Sequence, residues 1–258
     1  MYDVNHPVYP QLQAIGKEIT KAKPKAIVVF SAHWQANGSD RIEVNSEVKT
    51  DLIYDFYGFP SHYYAEKFPN VGSKEIAYQV IESLKSNGIV VSPVSRGLDH
   101  GVWACFKVAF DAETNPLEVP IVQVSLYSSF DPYQHYNLGK AVSALREQNI
   151  QIVATGMAVH NLRDMRFAMG NRNPLPYTLS FDEALKEAVT GPSYGREDRM
   201  ARLLKRPDAK QAHPTFEHLL PIFVGAGAAG EDEGTRFWTL AEGSFSWACY
   251  RFGKLPAA

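Results

Sequence analysis

Three of the eight histidines, His33, His100 and His160, stand where strands would end or loops would turn, which is where enzymes place their chemistry. His33 closes the run AIVVFSAHW, and His100 sits in GLDHG. His160 follows the run QIVATGMAV, and His218 lies in HPTFEHLLP. A neutral imidazole ligates metals, and near neutral pH it takes up or gives back a proton. One histidine at a strand end is more often structural than chemical. Three or more arriving at the same edge of a sheet reverse that balance, because ligands of open α/β sheets bind beyond the carboxyl ends of the strands.

One tempting pattern fails on spacing. His213 and His218 flank Glu217, as in a zinc peptidase helix, but they are five residues apart. At about 100° per residue, four apart leaves two side chains about 40° out of line, and five apart leaves about 140°. A regular helix cannot chelate one ion with such a pair. His6, His62 and His135 lie in polar or aromatic surroundings and read as surface or loop residues. The stretch YDFYGFP, with Tyr57 and Phe59, could pack in a core or wall a flat aromatic substrate.

These groups need elements to hold them. Leu12, Ile15, Ile19 and Ala22 recur at helical spacing before Pro24, and residues 25–31 follow as a strand apolar on both faces. A short strand fits 41–44. Residues 51–69 show no clean period and read as a long loop, often functional in compact domains. Ser73 caps a helix carrying Ala77, Val80, Ile81 and Leu84. Strands are expected at 89–94, 120–126 and 151–155, with RGLDHGVW as a loop and a helix opened by Asp131-Pro132. Ser180 and Glu183 give a capping-box signature. Residues 196–206 read as a charged, solvated helix, and 213–229 as an apolar helix interrupted by Pro221. Two alternating strands joined through Glu242-Gly243 finish the chain as a hairpin. Alternating strands and helices predict an α/β fold, a mixed and mostly parallel central sheet with helices on both faces. No repeat or linker appears, so residues 1–258 read as a single catalytic domain.

Composition narrows the function classes. The chain is 45% hydrophobic and 21% charged, with a formal net charge of -2. No basic block favours nucleic acid or an anionic membrane. Cys105 and Cys249 lie far apart in apolar stretches and read as buried free thiols of a reducing, cytoplasmic compartment. No apolar run reaches the length of a membrane span, and no signal peptide is evident at the N-terminus. A homo-oligomer is compatible with this composition.

Taken in order, SAHW, YDFYGFP, GLDHG, HNL and HPTFEHLLP make the chain resemble the class III extradiol ring-cleavage dioxygenases, in the branch of the 4,5-DOPA dioxygenase extradiol type. The resemblance implies an α/β fold around one Fe(II) or Zn(II), and a catechol, DOPA-like, opened by O2 beside rather than between its two hydroxyls to a semialdehyde. It implies His33 and His218 as metal ligands, and His160 as ligand or acid/base. His100 is implied as a catalytic or substrate-side group, with Trp34, Tyr57 and Phe59 against the substrate. Carboxylates such as Asp99 or Glu217 would orient the ligand histidines.

The pattern departs from the family at its front. Members begin with a strand running into S-H-G-[GS]-P, whose histidine is a further ligand, and here no His-Gly pair precedes His33. The expectation is of a chain shortened at its N-terminus, with a gap beside its neighbouring strands. A non-catalytic metal-binding or interaction protein that keeps the fold is the alternative reading, and a zinc hydrolase a weaker third.

Overall fold

The computed structural model describes residues 3–165 and 172–254, which fall into two compact units. The first takes in residues 3–128 and 144–155, and the second 129–143 with the described part of 156–254.

The first unit is built on a five-stranded sheet. Helix α1 (Val8–Lys21) leads into β1 (Ala26–Gln35), followed by β2 (Arg41–Asn45), α2 (Lys74–Ser86), β3 (Val90–Val94), α3 (His100–Ala109), β4 (Ile121–Leu126) and, later, β5 (Ile150–Thr155). The strand order is β3-β2-β4-β1-β5. β1 runs parallel to both β4 and β5, β2 runs parallel to β3, and only the β2–β4 pairing is antiparallel. The predicted mixed, mostly parallel α/β fold is therefore what forms. Ile27, Val28, Val29 and Phe30 of β1 are wholly buried, as a strand covered on both faces requires. Each such side chain contributes about 1.5–3 kcal/mol. β1 is hydrogen-bonded on both sides, to β4 and β5.

Several local expectations are corrected. β1 does not stop at Ser31 but continues through His33 and Trp34, with its register against β4 shifting between Phe30 and Gln35. GLDHG is not simply a loop: His100 is the first residue of α3, which follows Asp99. The Ser73 cap is confirmed by its hydroxyl accepting from the Ile76 amide at 3.2 Å. His6 is buried, its Nδ1 accepting from the Val8 amide, whereas His62 is exposed. Neither cysteine is in a disulfide, and each is only half-buried.

The second unit contains α4 (Pro132–Val142), β6 (Val159–His160), α5 (Pro176–Thr190), α6 (Arg196–Leu203), α7 (Ala209–Ala212), α8 (Leu220–Ala228), β7 (Gly234–Trp238), β8 (Ala241–Glu242), β9 (Phe245–Ser246) and β10 (Cys249–Phe252). The terminal hairpin forms, as β7 against β10 and β8 against β9, with β6 added beside β9. Asp131 caps α4 by accepting from the amides of Tyr133 and Gln134. His135, expected at the surface, is buried in α4 with Nδ1 on the Asp131 carbonyl at 2.8 Å. The capping box at Ser180 is not used, because α5 already starts at Pro176, and the Ser180 hydroxyl donates to Asp208 instead. Pro221 does not interrupt a helix but opens α8, where its missing N–H costs nothing. α6 is not uniformly solvated, since Arg196 is fully buried. No helix among the described residues is long and apolar enough to cross a membrane.

Candidate metal centre

His33 and His100 come together in the first unit through a loop that the sequence leaves without a period. Residues 51–53 are zipped to 98: Ile53 N–H donates to the Leu98 carbonyl at 2.7 Å, Leu98 N–H to the Asp51 carbonyl at 2.9 Å, and Leu52 bridges Leu98. The Trp103 indole N–H donates to the Ile53 carbonyl at 2.9 Å. This lacing carries Asp55 to the start of α3. There Asp55 Oδ1 accepts from the His100 backbone N–H at 2.9 Å and from its Nδ1 at 2.8 Å, while Oδ2 lies 2.9 Å from His33 Nδ1. An ionised carboxylate only accepts, so both Nδ1 atoms carry the proton. The two rings lie 4.0 Å apart at 64°.

Burial alone would raise the Asp55 pKa. Hydrogen bonds from His100 and His33 outweigh that and hold it well below the usual carboxylate range. Asp55 is thus a fixed anion between two imidazoles. The ligand atoms of His33, Asp55 and His100 all lie within 4.8 Å of one another. Two imidazoles and a carboxylate this close are groups that could hold a divalent ion. With both Nδ1–H groups donated to it, however, Asp55 acts here to orient the imidazoles, which leaves each Nε2 as the nitrogen to face the metal that the resemblance implies.

Asp99 does a different job from the one expected. Its carboxylate accepts from the Ser31 hydroxyl at 2.7 Å, from Arg96 Nη1 at 3.1 Å and from Gln123 at 2.5 Å. Ser31 in turn accepts from the His33 backbone N–H at 3.1 Å, so Asp99 fixes the β1 backbone under His33 rather than the imidazole. Gly101 allows α3 to come this close to β1. A Cβ there would stand 2.5 Å from Ser31 Oγ and 2.9 Å from His33 Cδ2.

The expected substrate wall is distributed unevenly. Tyr57 is 89% exposed and Phe59 57%. Phe56, from the same stretch, meets the His100 ring edge-on at 5.2 Å. Trp34 is buried, its indole N–H on Glu43 at 3.3 Å and the Arg96 guanidinium 4.5 Å above its ring.

In the second unit His160 and His218 stack, ring centroids 3.7 Å apart and 11° from parallel. β6 pairs with β9 to set His160 opposite Phe245, whose ring lies 5.5 Å away. The Met157 amide donates to the His218 carbonyl at 2.8 Å, and a Cβ on Gly156 would overlap that same carbonyl. The small residue of GMAV is what lets the two segments meet. Glu217 takes the orienting part expected of it, with Oε1 3.2 Å from His218 Nδ1 and 2.8 Å from the Thr215 hydroxyl. Burial pushes the Glu217 pKa up, but hydrogen bonds from His218, its own backbone and Thr215 prevail and lower it to about 2. Asn161 anchors HNL through its amide to Asp164, Tyr177 and the Gln211 carbonyl. His213 stands apart from this pair as a buried structural residue, donating from Nε2 to the Ala158 carbonyl at 2.9 Å.

The residue missed in the sequence is Asp55. The one available signal was a carboxylate inside YDFYGFP, an otherwise aromatic loop.

A family model described as the catalytic LigB subunit of aromatic ring-opening dioxygenase matches residues 2–253. The chain is 37% identical over 223 residues to a 4,5-DOPA dioxygenase extradiol-like protein of Schizosaccharomyces pombe, covering 85% of this chain and 73% of that one. It is 34% identical to the 4,5-DOPA dioxygenase extradiol of Beta vulgaris, over 89% and 82% of the two chains. To the 4,5-DOPA dioxygenase extradiol of Escherichia coli it is 33% identical, over 81% and 74%. Among solved structures, an uncharacterized protein from Escherichia coli K12 superposes with a TM-score of 0.76 at 29% identity, covering 94% of this chain and 91% of that one.

Proposed function

The chain belongs to the LigB family of aromatic ring-opening dioxygenases and is an extradiol ring-opening dioxygenase, and from that premise we propose that its substrate is a DOPA-like catechol, opened by O2 to a semialdehyde. Relatives named for 4,5-DOPA support the substrate class. The observation that carries the reading is the Asp55 carboxylate held between His33 and His100, a prearranged imidazole site beside the aromatic YDFYGFP loop.

We read residues 1–258 as one catalytic domain and keep the motif assignment of His33 and His218 as metal ligands, taking the acid/base role of the two that the motif allows His160. Asp55 and Glu217 orient His33 and His218 through Nδ1, which leaves Nε2 as the nitrogen that faces a metal. Fe(II) suits the chemistry better than Zn(II), which has no redox change to offer. When bound, iron lowers the pKa of the catechol hydroxyls and gives electrons a path from the ring to O2.

The protein's own groups then have defined tasks. A ring nitrogen of His160 accepts a catechol hydroxyl proton and later returns it. Its stacked neighbour and Phe245 hold the ring in one orientation for that transfer. His100, with Nδ1–H committed to Asp55, presents Nε2 to the substrate side, and Phe56 packs on its edge to limit water. Trp34, Tyr57 and Phe59 complete the proposed substrate contacts.

The test is oxygen uptake with L-DOPA after anaerobic loading with Fe(II), read with the absorbance and mass of the product. Uptake of one O2 per catechol, with both oxygen atoms in a ring-opened product, is expected. A loaded protein that leaves L-DOPA and simpler catechols intact would overturn the proposal.

A further inference from the structure

His33 stands on a stretch of β1 that the neighbouring strands do not hold in register. β1 pairs with β5 as far as Ser31, opposite Thr155, and with β4 as far as Phe30, opposite Val124. Pairing with β4 resumes only at Gln35, opposite Leu126. Among the described residues, 32–34 have no register partner on either neighbour. Backbone N–H and C=O groups shielded from water still need partners. At His33 side chains supply them. Its N–H donates to Ser31 Oγ at 3.1 Å, and its carbonyl accepts from Arg96 Nη2 at 3.4 Å, a long bond from a charged donor.

Arg96 lies between β3 and α3, its side chain 19% exposed. Nη1 donates to Asp99 Oδ2 at 3.1 Å and to the Gly97 carbonyl at 3.3 Å. The guanidinium lies 4.5 Å from the centre of the Trp34 ring, and the Arg96 backbone N–H donates to Asn45 Oδ1 at 3.1 Å. One residue thus ties the His33 carbonyl, the next side chain of β1, the residue before α3 and the end of β2. Ser31, the other clamp on His33, donates to Oδ1 of the same wholly buried Asp99. Both backbone groups of His33 are therefore referred to one carboxylate, and Arg96 supplies the cation that offsets its charge. Taking the cation away would leave a buried carboxylate uncompensated. A planar guanidinium holds several oxygens while lying on an indole face, which an ammonium does not do.

We propose that Arg96 is a positioning residue for His33. It fixes the β1 backbone where the sheet does not, so that His33 Nδ1 meets Asp55, 2.9 Å away. Its bearing on metal binding rests on the reading of His33 as a ligand, whereas its bearing on the His33–Asp55 contact holds in the metal-free chain. Arg96 acts through His33 and takes no step of ring cleavage.

Arg96→Met removes the charge and the donors, and Arg96→Lys keeps the charge without the fork. In the metal-free full chain, nitrogen NMR of labelled histidines reads the protonated Nδ1 of His33 and of His100, assigned by replacing each in turn. Both variants should lose or shift the His33 signal and keep that of His100, whose own backbone N–H also binds Asp55. Affinity for Co(II), measured against a chelator, should fall about 10–100-fold in Arg96→Met and less in Arg96→Lys. A merely structural arginine would lower the melting temperature and leave both readings as in the wild type. An unchanged His33 signal in both variants overturns the proposal, as does wild-type Co(II) affinity in Arg96→Met. If the wild-type chain takes up no Co(II), the ligand reading of His33 falls, and the His33 signal alone decides this proposal. If Arg96→Met does not fold, Arg96→Lys decides, and a wild-type His33 signal there overturns it.

Discussion

Asp55 grips His100 twice, accepting from its backbone N–H at 2.9 Å and from its ring Nδ1 at 2.8 Å, and with its other oxygen it reaches His33. One carboxylate therefore fixes the tautomer of two imidazoles that come from different elements. Asp55→Asn keeps one oxygen acceptor but loses the charge and one of the two ring contacts. We expect Fe(II) affinity to fall about 10–100-fold, the range typical of groups that orient a ligand. Anaerobic titration against a competing chelator measures this, with circular dichroism to confirm the fold. Unchanged affinity would remove Asp55 from the centre, and loss beyond a thousandfold would make it a ligand.

Gly101 tests the contact between α3 and β1. An added methyl would meet Ser31 Oγ at 2.5 Å and His33 Cδ2 at 2.9 Å, so Ser31 or His33 must move. Gly101→Ala should cost about 1–3 kcal/mol of stability, as overpacking does, and lower turnover by more than its loss of folded protein explains. Denaturant unfolding alongside kcat per folded molecule separates the two effects. A variant with wild-type kcat and reduced stability alone would show that the site tolerates the shift.

His160 is assigned the proton transfer. His160→Ala should reduce turnover by at least about 100-fold, the usual size of an acid/base contribution. Part of the metal binding should remain, and a metal titration beside the oxygen electrode reads both. Full activity in this variant would end the assignment.

His213 gives a pH dependence whose sign can be fixed. Burial lowers its pKa from 6.5 to about 4, against the opposing pull of the Ala158 carbonyl. Between those values the unfolded chain binds a proton that the folded protein refuses. The related stability is complete above pH 6.5 and is lost as the pH falls towards 4, about 3 kcal/mol in all. His213→Gln, which can keep a donor to Ala158 without ever charging, should flatten that acid limb. Unfolding midpoints at pH 7 and 4.5 provide the comparison, and an equal pH slope in both proteins would refute it.

The elements that carry the histidines were legible because their signals are local. An apolar run such as AIVVF must be a covered strand, and Ser73 and Asp131 announce helices by capping them. The order SAHW, GLDHG, HNL and HPTFEHLLP was enough to find the family, because short motifs in a fixed order survive in the chain itself. What failed locally failed for local reasons. Pro176 opens α5 a turn earlier than the capping-box pattern at Ser180 suggested, and Pro221 looked like a helix breaker when it is a helix start.

The pairings that give those motifs chemistry are non-local, and no pattern within a window contains them. Asp55 and His100 are 45 residues apart, joined because the aperiodic loop at 51–53 is hydrogen-bonded to Leu98. Arg196 reads as one more charge on a polar helix, and only the packing of the second unit buries it. The sequence by itself determined which residue types stand at the strand ends and what family they mark, since those follow from composition and order. Tertiary structure alone decided which carboxylate serves which imidazole, because a hydrogen bond depends on where two distant segments meet in space.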